Sequence, residues 1–143
     1  MEWFDAGVNL THTRLHRQLE SVITRAHAAG VSHQLVIATD IAEAHAAIEL
    51  CERFPDSLYT TVGVHPHEAD NAPTDLQSQL FELAQSPFVK AIGECGLDFN
   101  RNFASSANQK RVFIQQIEVA NELSLPLYLH ERDALEEQIS LLD

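Results

Sequence analysis

Positive charge is scarce in this chain: 9 Lys+Arg stand against 21 Asp+Glu among 143 residues, a formal net charge of -12. Such a surface repels phosphate backbones, which excludes a broad basic face as the main source of nucleic-acid affinity. It does not exclude nucleic acid as a substrate, because carboxylates that hold a divalent metal create a local positive site in an acidic chain. Cysteine is also sparse. Cys51 and Cys95 are the only two, too few to staple a secreted scaffold, so a reducing cytoplasm is the expected compartment. No apolar run approaches the roughly 18 residues of a membrane span. The opening MEWFDAGVNL has no basic segment followed by an apolar one, so no secretory signal is expected. GxGxxG and Walker-type loops, low-complexity tracts, linkers and internal repeats are missing too. What remains is 45% hydrophobic, enough for one domain with an ordinary core.

The apolar residues alternate between strand-like runs and helical spacing. Trp3 to Val8 reads as a first strand, followed by a helical series at Leu15, Leu19, Val22, Ile23 and Ala26 that stops at Gly30. Gln34 to Ala38 is a compact second strand; Asp40 then caps a helix with Glu43 in capping-box position and Ala44, Ala47, Ile48 and Cys51 inward. Leu58 to Val64 is a third strand, and Thr74 is the expected cap of a helix carrying Leu76, Leu80, Leu83 and Ala84. Pro87 precedes a fourth strand, Phe88 to Gly93. Ser105 or Ser106 caps a longer helix with Phe113, Ile117 and Ala120 inward. Pro126 introduces a fifth strand, Leu127 to Leu129, and a last helix is expected from Asp133 to Leu142. Five β-α units with mostly apolar strands predict a parallel sheet covered by helices. An open doubly wound sheet and a (β/α)8 barrel both fit that pattern, although the barrel needs about 250 residues.

In either architecture the reactive groups gather at the C-terminal ends of the strands. Those positions hold Asp5, Gly7 and Asn9; then GVHPH (residues 63–67); then GECGLD (residues 93–98); then HERD (residues 130–133). Glu94 follows an apolar strand between glycines, where a carboxylate without a partner is costly, so a metal or catalytic role is expected. His130 can donate to a backbone carbonyl or ligate a metal, and beside Glu94 the ligand reading is preferred. One of His65 and His67 is expected to face the site. Asp98 either caps the loop or orients a water. His12 and His16 have i, i+4 spacing but no intervening Glu in the HExxH manner, and Arg14 and Arg17 beside them suggest a solvated face. His27, His33 and His45 read as isolated helix or loop histidines. Cys95 is expected to be a packing residue in the Glu94 loop, with no base at hand to activate it. Lys90 reads as structural.

GVHPH (residues 63–67), AIGECGLDFNRNF (residues 91–103) and LHERDA (residues 129–134), with FDAGVNLT (residues 4–11), resemble the TatD family of metal-dependent DNases. The resemblance implies a (β/α)8 TIM-barrel type α/β fold and a divalent metal inside the strand ends. It implies hydrolysis of DNA phosphodiesters, as a 3′-5′ exonuclease on single strands or 3′ ends, in which the ion polarises a phosphoryl oxygen and lowers the pKa of a bound water. On matching positions Glu94 and His130 are metal ligands. Glu94, His65 and Asp98 form the catalytic set, with His65 beside the scissile phosphate, and His67 and Arg132 bind substrate. Many members carry Asp-x-His-x-His on the first strand, where this chain has Asp5-Ala6-Gly7-Val8-Asn9. Gly7 offers no side chain, and Asn9 offers a carbonyl oxygen, which suits magnesium over zinc or manganese.

The resemblance covers this sequence but only the first five units of the family's barrel. Residues 1–143 are therefore expected to be the N-terminal portion of a single barrel domain, with further ligands in the remaining half or on a partner chain. A partial barrel of this kind exposes two strand edges. A non-catalytic remnant or binding module, or a metal-dependent hydrolase of small amides or esters, are the rival readings.

Overall fold

The computed structural model describes all 143 residues, Met1–Asp143. Five strands, β1 (Trp3–Val8), β2 (Val31–Val36), β3 (Leu58–Val62), β4 (Val89–Asp98) and β5 (Leu127–Arg132), form one sheet in sequential order. Every neighbouring pair is parallel. The crossovers carry α1 (Thr13–His16), α2 (Leu19–Ala28), α3 (Ile41–Arg53), α4 (Leu76–Leu83) and α5 (Ser106–Leu123), and α6 (Leu135–Leu142) follows β5. A 3-10 helix over Pro66–Asn71 links β3 to α4.

The helices stand on one side of the sheet. Val62, Val64, Val89 and Ile92 pack there against Leu76, Leu80 and Leu83 of α4 and Val112, Val119 and Ala120 of α5. A second cluster joins Leu19 and Ile23 of α2 to Val36, Ala47, Leu50 and Leu58. The other side is concave: the Tyr128 hydroxyl of β5 reaches Gly7 of β1 although three strands separate them in the sheet. A five-stranded sheet curled in this way is the first part of a barrel rather than an open doubly wound sheet. Trp3 and Phe4 on β1 (58% and 51% exposed) and Leu129 on β5 (44%) lie uncovered on the two edge strands.

Several boundaries differ from the sequence expectation. The first helical run is two pieces, broken at Arg17 and Gln18. The α4 helix starts at Leu76 behind Asp75, and Thr74 is not its cap. Asp40 and Ser105 do cap α3 and α5, accepting from the Glu43 and Asn108 N–H groups. The largest difference is β4, which continues five residues past Gly93 to Asp98. Gly93–Asp98 is paired with Tyr128–Arg132 of β5, so Glu94 and Cys95 lie in a strand, not in a loop. His33 also lies in a strand, grouped with the rings of Phe4 and Tyr59 at 6.5 and 5.8 Å between ring centres.

Candidate metal centre

The site stands where the regular ladder between β3 and β4 ends. Beyond Val62↔Ile92 the two strands form no further ladder pairs, and other groups take over their backbone hydrogen bonds. Glu94 N–H donates to the Ala38 carbonyl (3.1 Å) and His65 N–H to the Thr39 carbonyl (2.8 Å), so both residues hang from the end of β2. Gly93 and Gly96 permit the tight pairing with β5, since a Cβ at either would overlap the carbonyl oxygen of Tyr128 or His130.

Three ligand-type side chains converge there: His65, Glu94 and His130 present donor atoms within 4.8 Å of one another. His130 Nδ1 lies 3.3 Å from Glu94 Oε1, and His65 Nε2 lies 4.0 Å from the same oxygen. On its far side His130 Nε2 lies 2.9 Å from Asp98 Oδ2. His67 Nε2 approaches that Asp98 oxygen at 2.8 Å, while Asp98 Oδ1 accepts from the Asn100 N–H. Burial raises the Asp98 carboxyl, but the hydrogen bonds from His130, His67 and Asn100 outweigh it and hold the group at about 2. Asp98 is therefore a buried carboxylate that fixes two imidazoles and caps its own turn.

The tautomers follow from these bonds. Asp98 fixes the proton of His130 on Nε2, which turns the Nδ1 lone pair toward Glu94. A lone pair and a carboxylate oxygen 3.3 Å apart have nothing to donate to each other, and a cation between them satisfies both. Two ligands each about 2.1 Å from one ion at a tetrahedral angle lie roughly 3.4 Å apart, so the donor set fits a divalent metal. His65 differs. Its Nδ1 accepts from the His67 N–H (3.1 Å), so the neutral ring carries its proton on Nε2 and faces the cluster as a donor. Burial, then the neighbouring His130 and His67, lower its pKa to about 4.

The other sequence candidates are more peripheral. His67 packs edge-on against His65 (4.4 Å between ring centres) and Phe103 (4.9 Å). Asn9 is exposed just past β1, and Arg132 is exposed at the end of β5, opposite Asp98 in register. Cys95 is buried, and burial, then Glu94, push its thiol up to about 12, so it stays a thiol.

The sequence reading missed three glutamines. Gln116 of α5 accepts from Val64 N–H (2.8 Å) and donates to Val64 C=O (3.0 Å). Two turns earlier Gln109 does the same for Asp98, at 2.8 and 3.0 Å. Gln138 of α6 accepts from Leu97 N–H. Each side-chain amide stands in for a missing strand partner, directly beside His65 or at Asp98. Their one signal in the sequence is a polar residue recurring on an otherwise inward helix face.

Gln116→Leu strands the buried N–H and C=O of Val64, and a loss of about 3 kcal/mol in urea unfolding is expected; a change under 0.5 kcal/mol would contradict the clamp. The two shifted groups also set an acid response of the metal-free protein. Above pH 6.5 His65 is neutral both folded and unfolded; as pH falls from 6.5 to about 4 only the unfolded chain binds the proton, so stability falls by roughly 3 kcal/mol. The Asp98 carboxylate adds a further loss of about 2 kcal/mol as pH falls from 3.8 through about 2. Unfolding midpoints measured from pH 8 to pH 2 check this, and His65→Gln should flatten the upper part of the curve.

A parallel sheet curling into a barrel, with imidazole and carboxylate side chains gathered at its strand ends, defines the TIM-barrel class of α/β folds, here its first five units. The sequence pattern described as "TatD related DNase" matches residues 4–143, and the chain belongs to that family. It is 47% identical over 139 residues to the 3′-5′ ssDNA/RNA exonuclease TatD of Pectobacterium parmentieri, a match covering 97% of this chain and 54% of the relative. The crystal structure of the TatD homologue YJJV from Escherichia coli superposes with a TM-score of 0.89 at 25% identity, covering 98% of this chain and 54% of the other. An uncharacterized amidohydrolase from Saccharomyces cerevisiae aligns at a TM-score of 0.84 and 29% identity, covering 99% of this chain and 51% of the other. The chain thus spans about half the length of the curated relatives it matches.

Proposed function

We propose that residues 1–143 supply the N-terminal portion of the barrel and the larger share of the metal site of a hydrolase that cleaves DNA phosphodiester bonds from the 3′ end of single strands. The observation that carries this reading is the orientation of His130, whose Nε2–H is taken by Asp98 so that its lone pair meets Glu94 Oε1. Relatives named as 3′-5′ exonucleases support the substrate class.

Glu94 and His130 hold the ion, with the Asn9 amide carbonyl as a further oxygen ligand; that oxygen favours magnesium, and the imidazole admits manganese or zinc. A divalent cation bound there polarises a phosphoryl oxygen and makes a water more acidic. The chain's own groups do the rest. His65, neutral with its Nε2–H toward the cluster, donates to the scissile phosphate. Asp98 acts through its neighbours as a positioning residue, keeping His130 in its ligating tautomer and His67 turned toward the site, where His67 and Arg132 meet the substrate strand. The exposed faces of β1 and β5 are covered, and the remaining ligands supplied, by barrel units outside these residues or by a partner chain. Two free, buried cysteines fit a reducing compartment such as the cytoplasm, and no helix is long and apolar enough to cross a membrane.

The test is incubation with a 3′-labelled single-stranded oligonucleotide and magnesium, beside ester and amide substrates. Slow, chelator-sensitive release of label without acyl hydrolysis is expected. Acyl hydrolysis instead would point to an amidohydrolase, and DNA cleavage indifferent to chelation would overturn the metal site.

A further inference from the structure

Tyr128 lies outside the His65–Glu94–His130 cluster, yet it shares the concave side of the sheet with it. On β5 it is two residues before His130, so strand alternation puts both side chains on one face. Its Oη lies 2.5 Å from the position a Cβ on residue 7 would take. Gly7 is thus what leaves room for the hydroxyl at β1, and any side chain there would displace it. Asp5 precedes Gly7 by two residues on β1 and Glu94 lies on β4, and these are the charged groups that act on the phenol. The hydroxyl belongs to a partly buried residue, and no hydrogen bond within the chain engages it. The group is an O–H donor that no group of the chain engages, on the strand face that also carries His130.

We propose that Tyr128 is a substrate-binding residue whose O–H donates to a non-bridging phosphate oxygen held on the Glu94–His130 face, in the space that Gly7 leaves open. The inference rests on the nuclease reading and extends it to a specific donor. In a chain of net charge -12, a neutral donor grips phosphate without adding another ionised group to a site already crowded with them, and a hydrogen bond to an anionic oxygen is among the strong ones.

The test combines Tyr128→Phe, Gly7→Ala and the double variant, with thymidine 5′-monophosphate as probe and magnesium present. Tyr128→Phe keeps the ring, so the unfolding midpoint and the magnesium affinity should stay within about twofold of the unsubstituted chain, while nucleotide affinity falls about tenfold. Gly7→Ala should lower nucleotide affinity in the same direction by displacing the hydroxyl. It should also destabilise the unsubstituted chain more than the Tyr128→Phe background, where the methyl takes the hydroxyl's room. Unchanged nucleotide affinity in Tyr128→Phe would overturn the donor role, and additive stability effects would overturn the placement at Gly7. If the unsubstituted chain itself does not bind the nucleotide, the nuclease reading fails, and the stability cycle alone then decides where the hydroxyl sits.

Discussion

Glu94→Ala is expected to abolish metal-dependent cleavage and to weaken divalent-metal binding by at least about 100-fold, the largest functional effect of any single change in this chain. Glu94 is the one carboxylate among the three converging side chains, and its Oε1 is the atom that both His130 Nδ1 and His65 Nε2 face. Removing it leaves two neutral imidazoles, one of which presents a proton rather than a lone pair. Asp98 does not compensate, because it is buried and both its oxygens are engaged. The fold should survive: Glu94 is held by its backbone N–H to Ala38, which alanine retains. Calorimetric titration with magnesium or manganese, beside circular dichroism, checks both halves of the expectation. Wild-type affinity in a folded Glu94→Ala protein would remove Glu94 from the metal site.

Gly96→Ala should be the most destabilising single substitution, with a loss of about 3 to 5 kcal/mol in urea unfolding. Two separate physical costs coincide there. Gly96 has φ of +140°, and a Cβ would overlap the His130 carbonyl oxygen and come within 2.8 Å of Gln138 Oε1. Neither neighbour can yield cheaply, since one is strand backbone and the other is the clamp on Leu97 N–H. Relief requires β5 to move away from β4, which carries His130 off Asp98 and Glu94, so metal affinity should fall together with stability. A loss below 1 kcal/mol would mean that the close pairing at this point is not real.

The order of elements was legible because each apolar run is punctuated by Gly30, Pro55, Pro87 or Pro126, and the sheet follows that order strand by strand. The extent of β4 was not. Gly93, Glu94 and Gly96 read as a loop because glycine and an isolated carboxylate interrupt an apolar run. The strand continues because β5 pairs with it and because Gln109 and Gln138 supply bonds that no neighbouring strand offers. Such long-range pairing leaves no local periodicity. The 3-10 helix at Pro66–Asn71 is likewise too short to show a period. At the site, position along the strands was enough to pick out Glu94 and, beside it, His130, but it left His65 and His67 undivided, and only the family resemblance favoured His65. The sharing of one Asp98 oxygen by His67 and His130 was out of reach, since it depends on the lateral spacing of β3, β4 and β5 rather than on sequence distance. Both His65 and His67 belong to the cluster because the 3-10 helix that begins at Pro66 folds their rings together.

The most direct test of the metal centre is a manganese titration of the chain followed through the histidine ring signals in NMR spectra. One saturable site is expected that broadens His65 and His130 first and His67 next, leaves His12, His16 and His27 sharp, and disappears in Glu94→Ala. Broadening that never saturates, or that strikes His12 and His16 before His130, would contradict it.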